Sequence, residues 1–375
     1  ISLMKDQVMA LRNAGIEACA ITSAQSPEEL SEVRAMARAG RCKLLYIAPE
    51  RLESGGFASL ASAIPISLVA VDEAHCISQW GQDFRPSYLR ITEFLKKLPR
   101  RPPLLAFTAT ATELVRADIA RILQLRAPET VVTGFDRPNL MLRVERPAHR
   151  DAALLEEVAR HPGQSGIIYC ATRSAVERVC ARLCSRGLRA TRYHAGLEDA
   201  ERHENQEAFL QDLCTIMVAT NAFGMGIDKS NVSYVIHYNM PKSLEAYYQE
   251  AGRAGRDGEP AECVLLFSPG DVQTARFLIS EFSEESGLSE QERELVRRQD
   301  LERLRVMTDY CKTDGCLRAY ILDYFGQPHP ERCGACGNCL AEFRQQDITR
   351  EAIARVRATG EDHADRRGHG FFVHD

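Results

Sequence analysis

The chain has 375 residues, enough for two or three domains that each bury a core, which excludes a single small module. Its 45% hydrophobic and 26% charged residues are typical of a folded globular protein and exclude a disordered or fibrous one. The formal net charge is -5, so any surface that binds nucleic acid has to be local.

The sequence carries no sign of a membrane or secretory protein. No apolar run approaches the roughly 20 residues that span a bilayer. The first 15 residues include Lys5, Asp6 and Arg12 and lack the apolar centre of a signal peptide. We therefore expect a cytoplasmic protein with no membrane partner. Because the chain starts at Ile1, inside a predicted helix, we also expect it to be a fragment.

Short apolar runs rich in β-formers alternate with longer amphipathic stretches. We predict strands at residues 43–47, 67–71, 104–108, 166–170, 215–219, 234–238 and 262–267. This rhythm predicts an α/β fold of parallel sheets with helices on both faces. The prolines and charges of residues 126–150 interrupt it and predict a domain boundary.

After residue 267 the predicted strands stop. Residues 271–325 are predicted to be helical with a break at 284–288, and a cysteine cluster follows. The predicted domains are therefore residues 1–130, 131–270 and 271–341, with residues 342–375 as a tail.

Two acids, Asp72 and Glu73, directly follow the apolar run at residues 68–71. Ligands gather at the carboxyl ends of parallel strands, so these acids would face a crevice. Nucleotide hydrolysis needs one carboxylate for Mg²⁺ and a second to orient or deprotonate the attacking water, and this pair can supply both. An acidic pair after a strand is also a common helix N-cap, so the pair alone leaves both roles open.

Four cysteines have the spacing of a metal site. Cys316 is followed after sixteen residues by Cys333, Cys336 and Cys339, in a CxxCxxC pattern. Four thiolates predict a closed, structural zinc site. Cys311 could compete as a ligand, and an iron–sulfur cluster is the rival interpretation, but the short ligand spacing favours zinc.

Seven segments together resemble the RecQ family of DNA helicases. They are SLMKDQV (2–8), YIAPERL (46–52), DEAHCISQWGQDFRP (72–86), FTATA (107–111), YHAGL (193–197), ATNAFGMGIDK (219–229) and YQEAGRAGRDG (248–258). The cysteine spacing matches the family's zinc pattern. The resemblance implies two RecA-like domains that clamp ATP, the first incomplete here, then a helical zinc-binding domain and usually a winged-helix domain.

The resemblance also implies roles for residues near the two acids. Asp72 is similar to the family's Mg²⁺-binding acid, Glu73 to the water-activating base and His75 to the nucleotide sensor. From the second domain, Arg253 and Arg256 are similar to the arginines that reach the γ-phosphate. Gln249 is implied to bind nucleotide beside them.

The segment with the only tryptophan is similar to the family's aromatic-rich loop, which contacts single-stranded DNA. The resemblance implies that Trp80 and Phe84 stack on bases, because aromatic faces stack on any base, and that Arg85 contacts a phosphate. The alternative is that Trp80 fills a core. Lesser candidates for DNA contacts are Thr108, Thr110, His194, Thr220 and Lys229.

The implied function is an ATP-dependent 3′–5′ DNA helicase core of DNA repair and recombination. It would use ATP, Mg²⁺ and Zn²⁺ and act on single-stranded DNA and duplex junctions, as a monomer, with single-strand-binding protein as a partner. An RNA helicase is disfavoured by the aromatic loop and the cysteines.

Two parts of the chain depart from the family pattern. The family's phosphate-binding loop should lie upstream of residues 2–8, and nothing in this chain supplies it. We therefore expect the chain alone to hydrolyse almost no ATP, and the alternative is a nucleotide-independent DNA-binding or strand-annealing protein. Residues 347–354 resemble the start of a winged helix, and His363, His369 and His374 are predicted to lie in a solvated tail.

Overall fold

The computed structural model describes residues 2–22, 25–224, 229–285 and 289–341. The predicted tail, with the winged-helix start and its three histidines, lies outside the described residues, as do residues 225–228 of one family segment. The described elements up to Cys339 belong to one compact unit. The predicted domain boundaries therefore stay predictions.

Lobe 1 (residues 2–130) contains four short parallel strands and five helices. The helices are α1 Ser2–Asn13, α2 Pro27–Arg38, α3 Gly55–Ala63, α4 Pro86–Lys97 and α5 Glu113–Ile122. The strands are β1 Ala18–Ile21, β2 Leu44–Ile47, β3 Val69–Val71 and β4 Leu104–Ala106. In the described part of this lobe, β1 pairs with β2 and β3 with β4, as two separate ladders. One hydrophobic core, which includes Leu60, Ile77 and Leu123, lies under both.

Lobe 2 (residues 131–267) contains a six-stranded parallel sheet in the order β5-β10-β9-β6-β8-β7. Its strands are β5 Leu140–Glu145, β6 Ser165–Tyr169, β7 Ala190–Tyr193, β8 Ile216–Ala219, β9 Val232–His237 and β10 Ala261–Leu266. Its helices are α6 Arg150–Ala159, α7 Arg173–Cys184, α8 Asp199–Leu210 and α9 Leu244–Ala251. Separate hydrophobic clusters cover its two faces, as the parallel-sheet pattern predicts.

A helical region (residues 269–340) follows lobe 2. Its helices are α10 Pro269–Glu285, α11 Glu290–Lys312, α12 Leu317–Tyr324 and α13 Gly337–Leu340. Its buried side chains, such as Tyr310 and Leu317, belong to the same core cluster as Leu140 and Tyr247 of lobe 2. The segment before β5 also packs on this region. The ring of Phe135 in that segment stacks on the ring of Phe325, with centroids 4.2 Å apart. The helical region thus packs on lobe 2 through a shared core.

The α/β fold is confirmed, and all seven predicted strands exist as β2, β3, β4, β6, β8, β9 and β10. No strand was predicted in residues 126–150, yet β5 lies there. The domain boundary predicted in this segment stays a prediction. Strand β5 pairs only with β10 at the sheet edge, and prolines flank it without entering it. The strands β1 and β7 were also missed, because β1 (ACAI) consists mostly of Ala and Cys and β7 (ATRY) contains a charged Arg, so neither is an apolar run of β-formers. No helix in the described ranges is long and apolar enough to cross a membrane.

Candidate active site and metal centre

The acidic pair lies at the carboxyl end of β3. Asp72 is exposed, and its Oδ1 accepts a hydrogen bond from the amide of Glu73 at 2.9 Å. Glu73 has a left-handed backbone, with φ 48° and ψ 43°, which costs a non-glycine residue on the order of 1 kcal/mol. The chain then enters a buried 3₁₀ turn, Ala74–Ile77. This bend places both acids at the edge where the strand ends.

The carboxylate of Glu73 is half-buried and has an unsatisfied oxygen. Its Oε2 is buried, and no described group gives it a hydrogen bond. Burial raises the pKa of Glu73 above its ordinary value, and the charge of Asp72 raises it further, whereas Arg85 and Arg253 act in the opposite direction. A raised pKa and a free acceptor oxygen are what a general base requires. Arg253 belongs to lobe 2 and Glu73 to lobe 1, so this effect on the pKa of Glu73 comes from the other lobe.

His75 is a neutral, buried side chain at neutral pH. It is 3% exposed, and burial lowers its pKa to about 4. Its Nδ1 lies 3.0 Å from Thr108 Oγ1 and 3.3 Å from Glu73 Oε2. The approach to Glu73 is therefore no ion pair at pH 7. A neutral imidazole between an acid and a hydroxyl can relay a change in hydrogen bonding from one to the other.

The turn after α9 presents the two arginines of lobe 2. Arg253 lies against the backbone of Gly224, where an added Cβ would be 2.3 Å from its guanidinium, so a larger residue at 224 would displace the guanidinium. Arg137 braces the turn by donating to the carbonyls of Ala254 and Gly255 at 3.0 and 2.9 Å. Arg256, in the same turn, is exposed. These hydrogen bonds brace the backbone of the turn that carries both arginines.

The aromatic loop (residues 79–85) returns across the turn that holds His75. A Cβ on Gly81 would lie 2.2 Å from the carbonyl oxygen of His75, so the close approach requires glycine. Trp80 is 44% exposed and is therefore not a core side chain. Phe84 is half-buried, and Arg85 pairs with Asp83 of the same loop. The loop thus presents an indole to solvent while it touches the site of Glu73 and His75.

The lesser DNA candidates are mostly buried. Thr108 is half-buried against His75, and Thr220 is 9% exposed. His194 is 5% exposed, and its Nε2 lies 2.7 Å from Glu177 Oε1. Their contacts with DNA stay predictions.

Lys229 differs from the other DNA candidates because its ammonium points into lobe 2. It is 5% exposed, and its Nζ donates to Asp212 Oδ1 at 2.8 Å and to the carbonyl of Leu210 at 3.3 Å. It also lies 5.2 Å from the ring centre of Phe209. Sequence spacing could not show this pairing, and we remove Lys229 from the proposed DNA-binding set.

The four predicted cysteines form one metal-binding cluster. The sulfurs of Cys316, Cys333, Cys336 and Cys339 all lie within 4.8 Å of one another. Two of the separations are 3.9 Å (Cys316 to Cys336) and 4.0 Å (Cys333 to Cys339), close to the roughly 3.8 Å edge of a tetrahedron with 2.3 Å zinc–sulfur bonds. Backbone amides donate to the sulfurs, such as Cys333 N to Cys316 Sγ at 3.3 Å, which stabilises thiolates.

The arrangement of the sulfurs also bears on the two alternatives, an iron–sulfur cluster and Cys311 as a ligand. An iron–sulfur cluster binds its cysteines through several iron atoms, whereas these sulfurs are grouped as around a single ion. Cys311 lies outside the group, 1% exposed in the hydrophobic core, and burial raises the pKa of its thiol. The residues fit one zinc ion held by four thiolates, with no ligand position left for water.

Three family models match the chain. They are the DEAD/DEAH box helicase model over residues 1–117, the helicase conserved C-terminal domain over 149–258 and RecQ zinc-binding over 269–340. The last match coincides with the four-sulfur cluster. The chain belongs to the RecQ helicase family.

Curated RecQ relatives extend over nearly the whole chain. It is 50% identical to the ATP-dependent DNA helicase RecQ of Bacillus subtilis, over 94% of this chain and 58% of that protein. It is 42% identical to the protein of the same name from Pasteurella multocida, over 92% of this chain and 53% of that protein. The chain thus spans just over half the length of these RecQ relatives.

The fold is also similar to that of solved helicase structures. The structure of S. cerevisiae Dbp5 bound to RNA and ADP BeF3 matches with a TM-score of 0.56 at 18% identity, over 80% of this chain and 78% of that one. This likeness concerns the fold alone.

Three residues connect parts of this site. They are Gln82, Thr110 and Arg303, whose contacts join the aromatic loop to lobe 2 and to the helical region. The sequence indicated Thr110, in the FTATA segment, only as a lesser candidate for a DNA contact, and it did not predict the contact made by Gln82. Arg303 belongs to no motif, so no local pattern could have found it.

Proposed function

We propose that the chain is the core of an ATP-dependent 3′–5′ DNA helicase. It would couple ATP hydrolysis to movement along one DNA strand and to separation of the duplex. The observation that carries this proposal is the hydrogen bond between the lobes beside the acids, from Gln249 Nε2 of lobe 2 to Thr110 Oγ1 of lobe 1 at 3.0 Å. The charge of Arg253, in the turn that follows Gln249, also lowers the pKa of Glu73. A cleft of this kind can be closed by a ligand with several phosphates and opened by its hydrolysis.

The residues divide the chemistry between the two lobes. Asp72, exposed at the end of β3, would hold Mg²⁺, which neutralises phosphate charge when bound. Glu73 would orient the attacking water and accept its proton at the free Oε2. Arg253 and Arg256 would stabilise the charge that spreads over the transferred phosphoryl oxygens. Gln249 would stand beside them at the nucleotide.

DNA would bind along the aromatic loop. The exposed indole of Trp80 is available to stack on a base, with Phe84 and Arg85 beside it. Family membership alone supports four further parts of the proposal. These are the 3′–5′ polarity, a role in DNA repair and recombination, the monomeric state and a single-strand-binding protein as partner. A location in the cytoplasm is proposed on the same ground.

The test is ATP hydrolysis with and without single-stranded DNA, in a chain that carries the family's phosphate-binding loop upstream of Ser2. We expect DNA to stimulate hydrolysis, and Glu73→Gln and Arg256→Ala to stop turnover while ATP and DNA still bind. Arg298→Ala, a charge removal on α11 far from the acids in sequence, is the control for general charge loss. DNA binding or strand annealing that is indifferent to ATP, with no hydrolysis, would favour the nucleotide-independent alternative.

A further inference from the structure

Arg303 of the helical region contacts the backbone of the aromatic loop. Its NH1 donates to the carbonyl oxygen of Trp80 at 3.1 Å, and its NH2 donates to Asp300 Oδ1 at 2.6 Å. The arginine is 9% exposed, so the contact is shielded from water. A charged donor on a shielded carbonyl is stronger than an exposed neutral hydrogen bond. The two residues are 223 positions apart in the chain.

The other polar group of the Trp80 backbone is held as well. Its amide donates to Ser78 Oγ at 3.1 Å, and the hydroxyl of Ser78 donates to Asp118 Oδ2 at 2.6 Å. Ser78 is fully buried and Asp118 is 8% exposed. The backbone of Trp80 is thus fixed on both sides while its indole remains 44% exposed.

Arg303 is itself anchored outside lobe 1. It lies on α11, whose next residues toward the core, Leu304 and Met307, are 2% and 0% exposed in the cluster shared with lobe 2. The helix begins with a capping box between Ser289 and Glu292. The carbonyl of Trp80 is therefore bonded to a helix that packs in the core shared by lobe 2 and the helical region.

We propose that Arg303 is a positioning residue that holds Trp80 in the orientation in which DNA reaches it. Through this contact the helical region sets how the aromatic loop responds to DNA. The effect on hydrolysis rests on the function proposed above, whereas the effect on the loop does not. An arginine suits this role because its planar fork donates from two separate nitrogens to a carbonyl and a carboxylate in a fixed geometry, whereas a lysine carries its donors on one nitrogen.

The loop can be observed directly, because Trp80 is the only tryptophan of the chain. Its fluorescence quenching by acrylamide reports how accessible the indole is. Since 44% of Trp80 is exposed now, full release would increase its accessibility about twofold. We expect Arg303→Ala to raise the quenching constant toward that limit and to shift the emission to longer wavelength. Arg305→Ala, an exposed arginine on the same helix that pairs with Glu302, should leave both unchanged.

Two further variants keep the test decisive if Arg303→Ala does not fold. Asp300→Asn removes the carboxylate that orients the guanidinium, and Arg303→Lys keeps a cation but loses the fork. Both should give quenching between the wild type and the released loop. Zinc content and circular dichroism verify folding. Unchanged quenching in the folded Arg303 variants overturns the proposal.

The second part of the experiment measures hydrolysis in a chain that carries the family's phosphate-binding loop upstream of Ser2. We expect Arg303→Ala to lower the DNA-stimulated rate about tenfold and to leave the basal rate unchanged, since the charged hydrogen bond it removes is made to the loop backbone and not to either acid. A released loop with full stimulation overturns the effect on hydrolysis. If the wild type shows no DNA-stimulated hydrolysis, the proposed function fails, while the fluorescence result still decides the role of Arg303 in the loop.

Discussion

Gln249 of lobe 2 donates a hydrogen bond from Nε2 to Thr110 Oγ1 of lobe 1 at 3.0 Å. The same hydroxyl accepts a second hydrogen bond from Gln82 Nε2 of the aromatic loop at 3.2 Å. A hydroxyl has two acceptor positions, so both contacts can exist together. Because Thr110 is 3% exposed, water does not readily replace a lost partner. A change in the separation of the lobes must therefore move the loop or break one of these bonds.

Replacement of Glu73 by Gln should stop hydrolysis, since glutamine keeps the size of the side chain but accepts no proton. We expect a loss of about 10²- to 10⁴-fold in turnover, with ATP still bound. The pKa of Glu73 is raised, so the wild-type rate should fall as the pH drops through that raised value and the base becomes protonated. A pH profile of the steady-state rate measures this. An unchanged rate in Glu73→Gln would contradict the role of Glu73 as the base.

Replacement of Trp80 by Ala should remove DNA stimulation more than it weakens DNA binding. Many phosphate contacts share the affinity, and one lost stacking partner costs only about 1–3 kcal/mol. Fluorescence anisotropy gives the DNA affinity, and ATPase rates with and without single-stranded DNA give the stimulation. Phe277→Ala, an exposed aromatic on α10, is the matched control. Full stimulation in Trp80→Ala would show that the indole does not couple DNA to hydrolysis.

The purified chain should carry one zinc ion, and serine at Cys316, Cys333, Cys336 or Cys339 should abolish zinc binding. Zinc contributes to folding directly, on the order of 10 kcal/mol in isolated finger peptides and less where a core supports the site. Elemental analysis measures the metal. Cys311→Ser is the matched control and should keep its zinc, because Cys311 lies outside the four-sulfur group. Bound iron would refute zinc as the metal. Zinc lost only from the Cys311 variant would refute the ligand set.

Replacement of Lys229 by Met should lower stability and leave DNA binding intact. It removes two hydrogen bonds of a buried ammonium, worth about 1–3 kcal/mol, while the half-exposed Asp212 can regain water. Urea unfolding measures the loss. A lysine in contact with a DNA phosphate would instead reduce the slope of log affinity against log salt by about 0.9. Such a reduced slope in a stably folded Lys229→Met would restore the sequence-based prediction.

His75 should make the protein less stable at mildly acidic pH. Its pKa is about 4 in the folded state and near 6.5 unfolded, so the unfolded chain takes up the proton first as the pH falls. The stability that the neutral imidazole contributes is complete above the unfolded pKa and is lost below it, by about 2 kcal/mol between pH 7 and pH 5. Urea unfolding at both pH values, compared with His75→Gln, isolates this contribution. An equal loss in the variant would assign it to other groups.

The sequence by itself determined the features that depend on near neighbours in the chain. Apolar runs predicted seven strands, and the position of Asp72 and Glu73 after one of them predicted acids at a sheet edge. The CxxCxxC spacing predicted three ligands of one ion, because a tight turn brings them together. These features follow from backbone period and short loops, which act over a few residues.

Only the tertiary structure decided the relationships between distant segments. It paired β5 with β10 at a sheet edge and turned Lys229 toward Asp212. It also brought the charge of Arg253 to Glu73 and the guanidinium of Arg303 to the carbonyl of Trp80. The physical reason is that such contacts depend on how packed elements meet. Local pattern shows which face of an element is buried but not which side chain of another lobe it will meet.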